Sequence, residues 1–310
     1  MPEPDVDVSV IVVTFHSAPV LAGLIASLGD GLEGLSWRLV VADNASSDGT
    51  LEVLREHAPD ALVVETGTNA GYAAGINAAL AAAPRARAYL VLNPDVRLSR
   101  GSVATLLGEL DRQGVGIAVP RLLGSAGELI ESQRREPTVL RSFADALVGA
   151  RRAGRWGTLG EVVSDPAAYE SAGTTDWAEG STQLISRICL EECGPWDEGY
   201  FLYSEETDFH LRARDAGFSV RYVPDAVATH LEGDSATSPR LWALVVANRL
   251  RFYRSRHGRP AAAVFWGVLL VREGSRAVLG RKPSQVAFRV LRTPSLLRAR
   301  RGPEWLERVG

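Results

Sequence analysis

The sequence is short of several things that would each dictate a class. It has two cysteines in 310 residues, too few for the disulfide framework of a small secreted protein, and this favours a reducing compartment. Cys189 and Cys193 lie four apart in what reads as a short helix and are expected to pack as small apolar side chains. No export signal is visible: Met1-Pro2-Glu3-Pro4-Asp5 is acidic and polar where such a signal would be basic and then apolar. The longest apolar run, residues 260–271, is about twelve residues against the ~20 a spanning helix needs, so the chain is not expected to cross a membrane. There is no GxxxxGK[ST] loop and no GxGxxG after the first strand, which removes the main support for P-loop and ordinary dinucleotide-binding readings. A formal net charge of −3 gives no reason to expect a nucleic-acid partner.

The 46% apolar and 23% charged composition is that of a folded globular chain, long enough for one large α/β domain with an appendage. The near-neutral charge hides a split. From Arg249 onward there are 15 Lys and Arg against 3 Asp and Glu, whereas the preceding residues carry 19 basic and 34 acidic groups. The body is acidic and the tail basic.

Residues 8–15 (VSVIVVTF) form a continuous β-branched run, the pattern of a strand covered on both faces in a parallel sheet. Pro19 opens an apolar-periodic helix ending near Leu28. Strands follow at 38–42, 62–65 and 89–92, with helices after Ser47-Asp48-Gly49 and over 71–82. This βαβαβαβ order implies a mostly parallel sheet flanked by helices, whose ligands bind beyond the carboxyl ends of the strands. Thr14, Asp43, Asn44 and Asp95 fall at those ends. A helix over 102–112 and a strand over 115–119 come next. Residues 121–176 are weakly periodic and read as a variable loop or lid. The pattern resumes with a strand over 177–186, a helix over 204–216 and a strand over 219–223. From Pro239 the chain is helical and basic.

Three groups of residues are chemically suggestive. Asn93-Pro94-Asp95 ends a strand, so Asp95 stands where a cation on a diphosphate would sit, although the tripeptide is also a common turn former. Ser204-Glu205-Glu206-Thr207-Asp208 crowds three carboxylates into a helix start. This is either a solvated, dipole-matched terminus or a general base whose pKa is raised by its like-charged neighbours. His230 follows a strand that is expected to end near Pro224, as a metal ligand or an ordinary histidine. Gly71, in the Gly67, Gly71, Gly75 series, serves either close packing or the approach of backbone to a ligand.

Taken in order, Thr14-Phe15, Val41 to Gly49 (VADNASSDG), Asn69 to Asn77 (NAGYAAGIN), Leu92 to Asp95 (LNPD), Trp177 to Gly180 and Phe201 to Arg212 (FLYSEETDFHLR) resemble glycosyltransferase family 2, most closely its bacterial rhamnosyltransferase branch, over roughly residues 7–235. The resemblance implies a GT-A fold over residues 1–237, followed by a basic helical extension over 238–310. It also implies a nucleotide-sugar donor, dTDP-rhamnose or a UDP-sugar. Thr14, Asp43 and Asn44 would hold base and ribose, Gly71 and Asn77 would line the nucleotide, and Asn93 and Asp95 would face the diphosphate. Asp95 and His230 would ligate Mg2+ or Mn2+. Where the family often has two aspartates the first is Asn93, leaving Asp95 as the only carboxylate of the tripeptide. Glu206 takes the place of the usual aspartate base, with Glu205 and Asp208 as alternatives. The implied activity is inverting transfer to a lipid-linked or glycan acceptor in surface-polysaccharide synthesis. A UDP-hexose transferase and a catalytically silent sugar-nucleotide or glycan binder stand as alternatives. Trp177 and Trp196 are either buried structural residues or stacking faces for sugars. The Arg-rich tail, with Phe252, Tyr253, Phe265 and Trp266, has the make-up of a segment lying on the inner face of a plasma membrane, or of an oligomer contact.

Overall fold

A computed structural model describes residues 4–231 and 238–309; the expected boundary between 237 and 238 lies at the edge of the segment outside the described residues. The first half alternates β1 (Val6–Thr14), α1 (Ala18–Gly31), β2 (Trp37–Asp43), α2 (Thr50–His57), β3 (Leu62–Glu65), α3 (Tyr72–Ala82), β4 (Ala86–Leu92), β5 (Val96–Leu98), α4 (Ser102–Glu109) and β6 (Val115–Leu123). Then come β7 (Gln133–Arg134), α5 (Val139–Val148), α6 (Ala150–Arg155), β8 (Gly173–Thr175), β9 (Trp177–Ala178), β10 (Thr182–Ser186), α7 (Arg187–Cys193), α8 (Glu205–Asp215) and β11 (Ser219–His230). The chain closes with α9 (Pro239–Arg256), α10 (Arg259–Val278), α11 (Lys282–Arg292), α12 (Pro294–Arg298) and α13 (Pro303–Val309).

The main sheet runs β3-β2-β1-β4-β10-β6-β11-β5, with β8 on β11. β1 pairs in parallel with β2 and β4, while β10 is antiparallel to β4 and β6. Successive strands leave β1 toward opposite edges, so a crevice opens beyond its carboxyl end. The period-2 alternation of β1 explains its apolar run: Val8, Val10 and Val12 enter the layer under α1 and α4, and Ile11 and Val13 the layer under α3 and α8.

Four expectations are corrected. The stretch 177–186 is two strands separated by a turn at Glu179-Gly180-Ser181, because the glycine interrupts the ladder. β11 does not stop at Pro224; its register slips between Val223 and Val227, which accommodates a proline with no N–H to donate, and the strand continues to His230. Residues 121–176 are not a free loop: α5 packs on α10, and Val139 joins the core of the C-terminal helices. The tail aromatics are interior. Phe252, Tyr253 and Phe265 are buried, Tyr253 stacks on both His257 and Phe265, and Trp266 donates to Leu291 O at 3.0 Å. Helices this rich in arginine stay folded only by burying an apolar stripe against one another, and these rings fill it. No helix among the described residues is long and apolar enough to cross a membrane.

Candidate active site

At the head of the crevice the polar residues are bound to one another. The parallel register sets Thr14 beside Asp43. Thr14 Oγ1 donates to Asp43 Oδ1 at 2.8 Å, Ser46 Oγ donates to the same oxygen at 2.6 Å, and Ser46 N donates to Oδ2 at 2.9 Å. Thr14 and Asp43 are almost fully buried, and neither lines the cavity. Asn44 does line it, donating to Gly71 O at 2.9 Å and accepting from Thr66 Oγ1. Gly71 has φ +103°, and a Cβ there would meet Phe201 O at 2.4 Å. Its freedom therefore serves the close approach of the 201–204 loop, which Tyr72 N seals by donating to Phe201 O at 2.7 Å. Asn77 is turned away, tied to the main chain of Trp196 by a reciprocal pair of 3.0 Å hydrogen bonds.

The cavity at this strand end has a volume of about 470 Å³, within the range of small-ligand sites. Its wall runs from Phe15 and His16 through Asn44, Gly71 and Tyr72 to Asn93, Asp95 and Tyr203. Phe15 is half exposed and stacks on His16 with ring centroids 4.1 Å apart.

At the far end of the cavity, β11 lies antiparallel on β5 and pairs His230 with Val96, next to Asp95. His230 Nε2 is 3.3 Å from Asp95 Oδ1, and Leu231 N donates to Asp95 O. The other ring nitrogen lies 3.9 Å from Glu179 Oε1. Glu179 is a residue that sequence reasoning missed. It is held by Ser181 N and Ser181 Oγ in the turn between β9 and β10. The signal available was an acidic residue and a glycine inside a stretch otherwise readable as strand. Asp95 and His230 fit a hard divalent cation that completes its shell with oxygens from a diphosphate and water. Among the described residues no group of three or more His, Cys, Asp and Glu side chains is disposed to hold a metal unaided.

A smaller cavity of about 100 Å³ adjoins the first and shares Tyr72, Asn93, Leu202 and Tyr203 with it. Glu179, Glu205 and Glu206 line it. Tyr72 stands on the partition, its hydroxyl donating to Asn93 Oδ1 at 2.7 Å. Burial and the nearby carboxylates of Glu205, Glu179, Asp95 and Glu206 push its pKa well up. The helix α8 that carries the acids is aimed by two consecutive non-glycine residues at positive φ, Tyr203 at 69° and Ser204 at 73°, an uncommon and strained arrangement. It is anchored from below by His210, whose Nδ1 accepts from Ala178 N while Nε2–H donates to Gln183 Oε1 at 2.7 Å. Burial pushes that imidazole down to about 3, so it is neutral.

Glu205 is buried, and its Oε2 has no hydrogen-bond partner among the described residues. Burial, and then the charge of Glu206, raise its pKa well above the carboxylate range. Glu206 is half-buried, and its pKa is pushed up to about 7, first by burial and then by Glu179, against the opposing pull of Arg134. Gly180 leaves room for it: a Cβ there would lie 3.1 Å from Glu206 Cβ. Glu206 also borders a third crevice of about 120 Å³, lined by Pro137, Trp177, Val245 and Arg249. Asp208 is not part of this group; it accepts from Arg212 Nε at 2.8 Å, and that guanidinium in turn donates to Cys193 O and Pro195 O. Trp196 is buried against Phe209, while Trp177 is largely buried with an edge on the third crevice.

Cavity, carboxylate–histidine pair and acidic helix are thus contiguous. The model of the glycosyl transferase family 2 matches residues 9–160. Residues 9–160 carry a family 2 glycosyltransferase domain. Among similar curated proteins, the N-acetylglucosaminyl-diphospho-decaprenol L-rhamnosyltransferase of Mycobacterium tuberculosis is 29% identical over 238 residues, covering 73% of this chain and 76% of its own length. The low-salt glycan biosynthesis hexosyltransferase Agl10 of Haloferax volcanii is 27% identical over 218 residues, 69% of this chain and 64% of its own. The mannosyltransferase PcManGT from Pyrobaculum calidifontis, solved with GDP-Man and Mn2+, superposes with a TM-score of 0.57 at 18% identity, covering 94% of this chain and 78% of its own. At that identity the likeness concerns the fold, which is the GT-A architecture.

Proposed function

We propose that the protein is an inverting, divalent-metal-dependent transferase that moves a sugar, L-rhamnose from dTDP-rhamnose, onto a lipid-linked acceptor in surface-glycan synthesis at the cytoplasmic face of a membrane. The observation that carries the reading is that the Asp95–His230 end of one cavity opens, across Tyr72 and Asn93, onto Glu205 and Glu206. A leaving diphosphate and an acceptor hydroxyl can then meet at one anomeric carbon from opposite sides. The rhamnosyl donor and polyprenyl acceptor are taken from the similarity to the mycobacterial rhamnosyltransferase, and the requirement for a metal from the Mn2+ in PcManGT. The division of the chain after residue 237 belongs to the same proposal.

Asp95 and His230 would hold Mg2+ or Mn2+, which when bound supplies positive charge for the departing β-phosphate. The stacked Phe15–His16 pair offers a face for the nucleobase, and Asn44 and Gly71 border the ribose. Thr14 and Asp43 act by fixing the turn that carries Asn44. Glu206 is the base. Its pKa of about 7 lets a large fraction be ionised at neutral pH and still makes it a far better proton acceptor than an ordinary carboxylate. Attack on the face opposite the diphosphate inverts the anomeric centre, and no covalent enzyme intermediate forms. Glu205, whose pKa is raised by burial and then by the charge of Glu206, stays protonated beside it. Glu179, 3.9 Å from His230 Nδ1, flanks the ring on the side away from Asp95, where its charge favours that orientation, a positioning role common beside metal-binding histidines.

Thermal shift with dTDP, UDP and GDP, with and without Mn2+, tests the reading. Stabilisation by dTDP that Mn2+ enhances is expected. Stronger stabilisation by UDP would move the donor to a UDP-hexose, and no response to any nucleotide would remove the transferase assignment.

A further inference from the structure

We infer that the outward faces of α5 and α10 form a docking surface for an anionic phospholipid bilayer, a surface that joins one helix of the basic C-terminal region to α5 and leaves the region's buried aromatics and its last helices out. Of the twelve large apolar side chains exposed among the described residues, eight lie on these two helices or just after α6 and α10. Leu140, Phe143 and Leu147 are spaced i, i+3, i+7 along α5, and Val264, Val271 and Val278 are spaced by seven along α10. Each set therefore occupies one helical face.

The opposite faces are the packed ones. Ser142 and Asp145 of α5 and Phe265, Leu269, Arg272 and Glu273 of α10 are buried, and the two helices lie side by side. The apolar stripes are thus not displaced core; they are a second hydrophobic side on helices that already have one. Exposed apolar area of this extent on a folded domain marks a contact surface.

Charge and composition favour lipid. Exposed Arg151, Arg152 and Arg155 on α6 lead into the exposed Trp156, and exposed Arg281 and Lys282 follow Val278 and Leu279. An apolar stripe with a tryptophan beside it and cations at its ends suits the headgroup layer of an anionic leaflet. A second copy docking through the same patch would bring like charges together at its rim. The surface also adjoins the chemistry: Pro137, which lines the crevice next to Glu206, lies two residues before α5. A bilayer under α5 would leave that crevice open near the headgroup plane, where a lipid-linked acceptor presents its sugar. The inference rests on the lipid-acceptor reading for this last point and on exposure and charge for the rest.

The test is co-sedimentation of the full chain with phosphatidylcholine vesicles, with and without phosphatidylglycerol. Binding that requires phosphatidylglycerol is expected. F143S/L147S should weaken it by roughly tenfold or more, and Arg151, Arg152 and Arg155 changed to serine should weaken it by about fivefold for each charge removed. R292S/R298S/R300S in the tail should leave it unchanged. Retained nucleotide-induced thermal shift in every variant reports an intact fold and separates failure of this surface from failure of the transferase assignment. No binding to anionic vesicles, loss of binding only in the tail variant, or a dimer by sedimentation velocity that F143S/L147S dissociates would each overturn the proposal.

Discussion

The two ends of the active crevice handle polar atoms in opposite ways. At the head of β1 and β2, Thr14, Asp43, Ser46, Asn44 and Thr66 satisfy one another through short internal hydrogen bonds. At the start of α8, Glu205 keeps an unpartnered buried oxygen, Glu206 sits beside another carboxylate, and the two residues before them hold positive φ. The first end is a scaffold that shapes a binding wall, and the second stores unfavourable electrostatics that only a reaction or a ligand relieves. Backbone strain is shared by the two ends, since His16 and Ala45 also hold positive φ; what sets the second apart is its uncompensated buried carboxyls.

Substitutions at the two ends should therefore fail differently. Asp95→Asn removes the only carboxylate of its tripeptide while keeping its shape; turnover should fall by about 10²- to 10³-fold, with the Mn2+-dependent part of the thermal shift lost and the melting temperature of the free protein little changed. Asp43→Ala should do the reverse. It strands the hydroxyls of Thr14 and Ser46 and should cost about 2–3 kcal/mol of stability in a urea titration, and activity per folded molecule should drop far less than for Asp95→Asn. Equal effects on turnover from the two would erase the distinction between scaffold and chemistry. Gly180→Ala presses a methyl against Glu206 and should lower turnover about tenfold with the donor KM unchanged, a displacement of the base without loss of binding.

The smallest effect concerns stability and pH. A carboxyl whose folded pKa is raised holds its proton when the unfolded chain has released it, so stability is fullest below about 4.5 and falls as pH rises toward 7. Glu206→Gln removes that penalty, and its melting temperature should exceed that of the parent by roughly a few degrees at pH 8 and match it at pH 4.5. A Glu206→Gln protein less stable at pH 8 would place the strain elsewhere.

Much of this was legible in the sequence because it depends on local pattern. The βαβ alternation set Asp95 and Asn44 at strand ends, and the apolar run of β1 announced a sheet covered on both faces. The contiguity of Asp95, His230, Glu205 and Glu206 was carried by family resemblance, since no local rule states that β11 pairs with β5. What stayed hidden depends on non-local geometry. Glu179 gains its place only when the turn between β9 and β10 closes against His230. Asn77 reads as a site residue until the 196–198 loop folds over it. Asp208 follows Glu206 by two positions, which on a helix turns it to nearly the opposite side, so its pairing with Arg212 was within reach of the sequence. The tail aromatics were misplaced because composition cannot distinguish a membrane-facing ring from one buried between basic helices.

In the proposed reaction everything turns on Glu206, its pKa raised by burial, taking the acceptor proton. The most direct measurement is the pH dependence of kcat for the parent and Glu206→Gln, with nucleotide affinity measured alongside. Parental turnover should climb through a midpoint near pH 7 as Glu206 ionises, and Glu206→Gln should bind nucleotide normally while turning over about 10²- to 10⁴-fold more slowly with that limb absent. Full turnover in Glu206→Gln, with the same rise near pH 7, would contradict it.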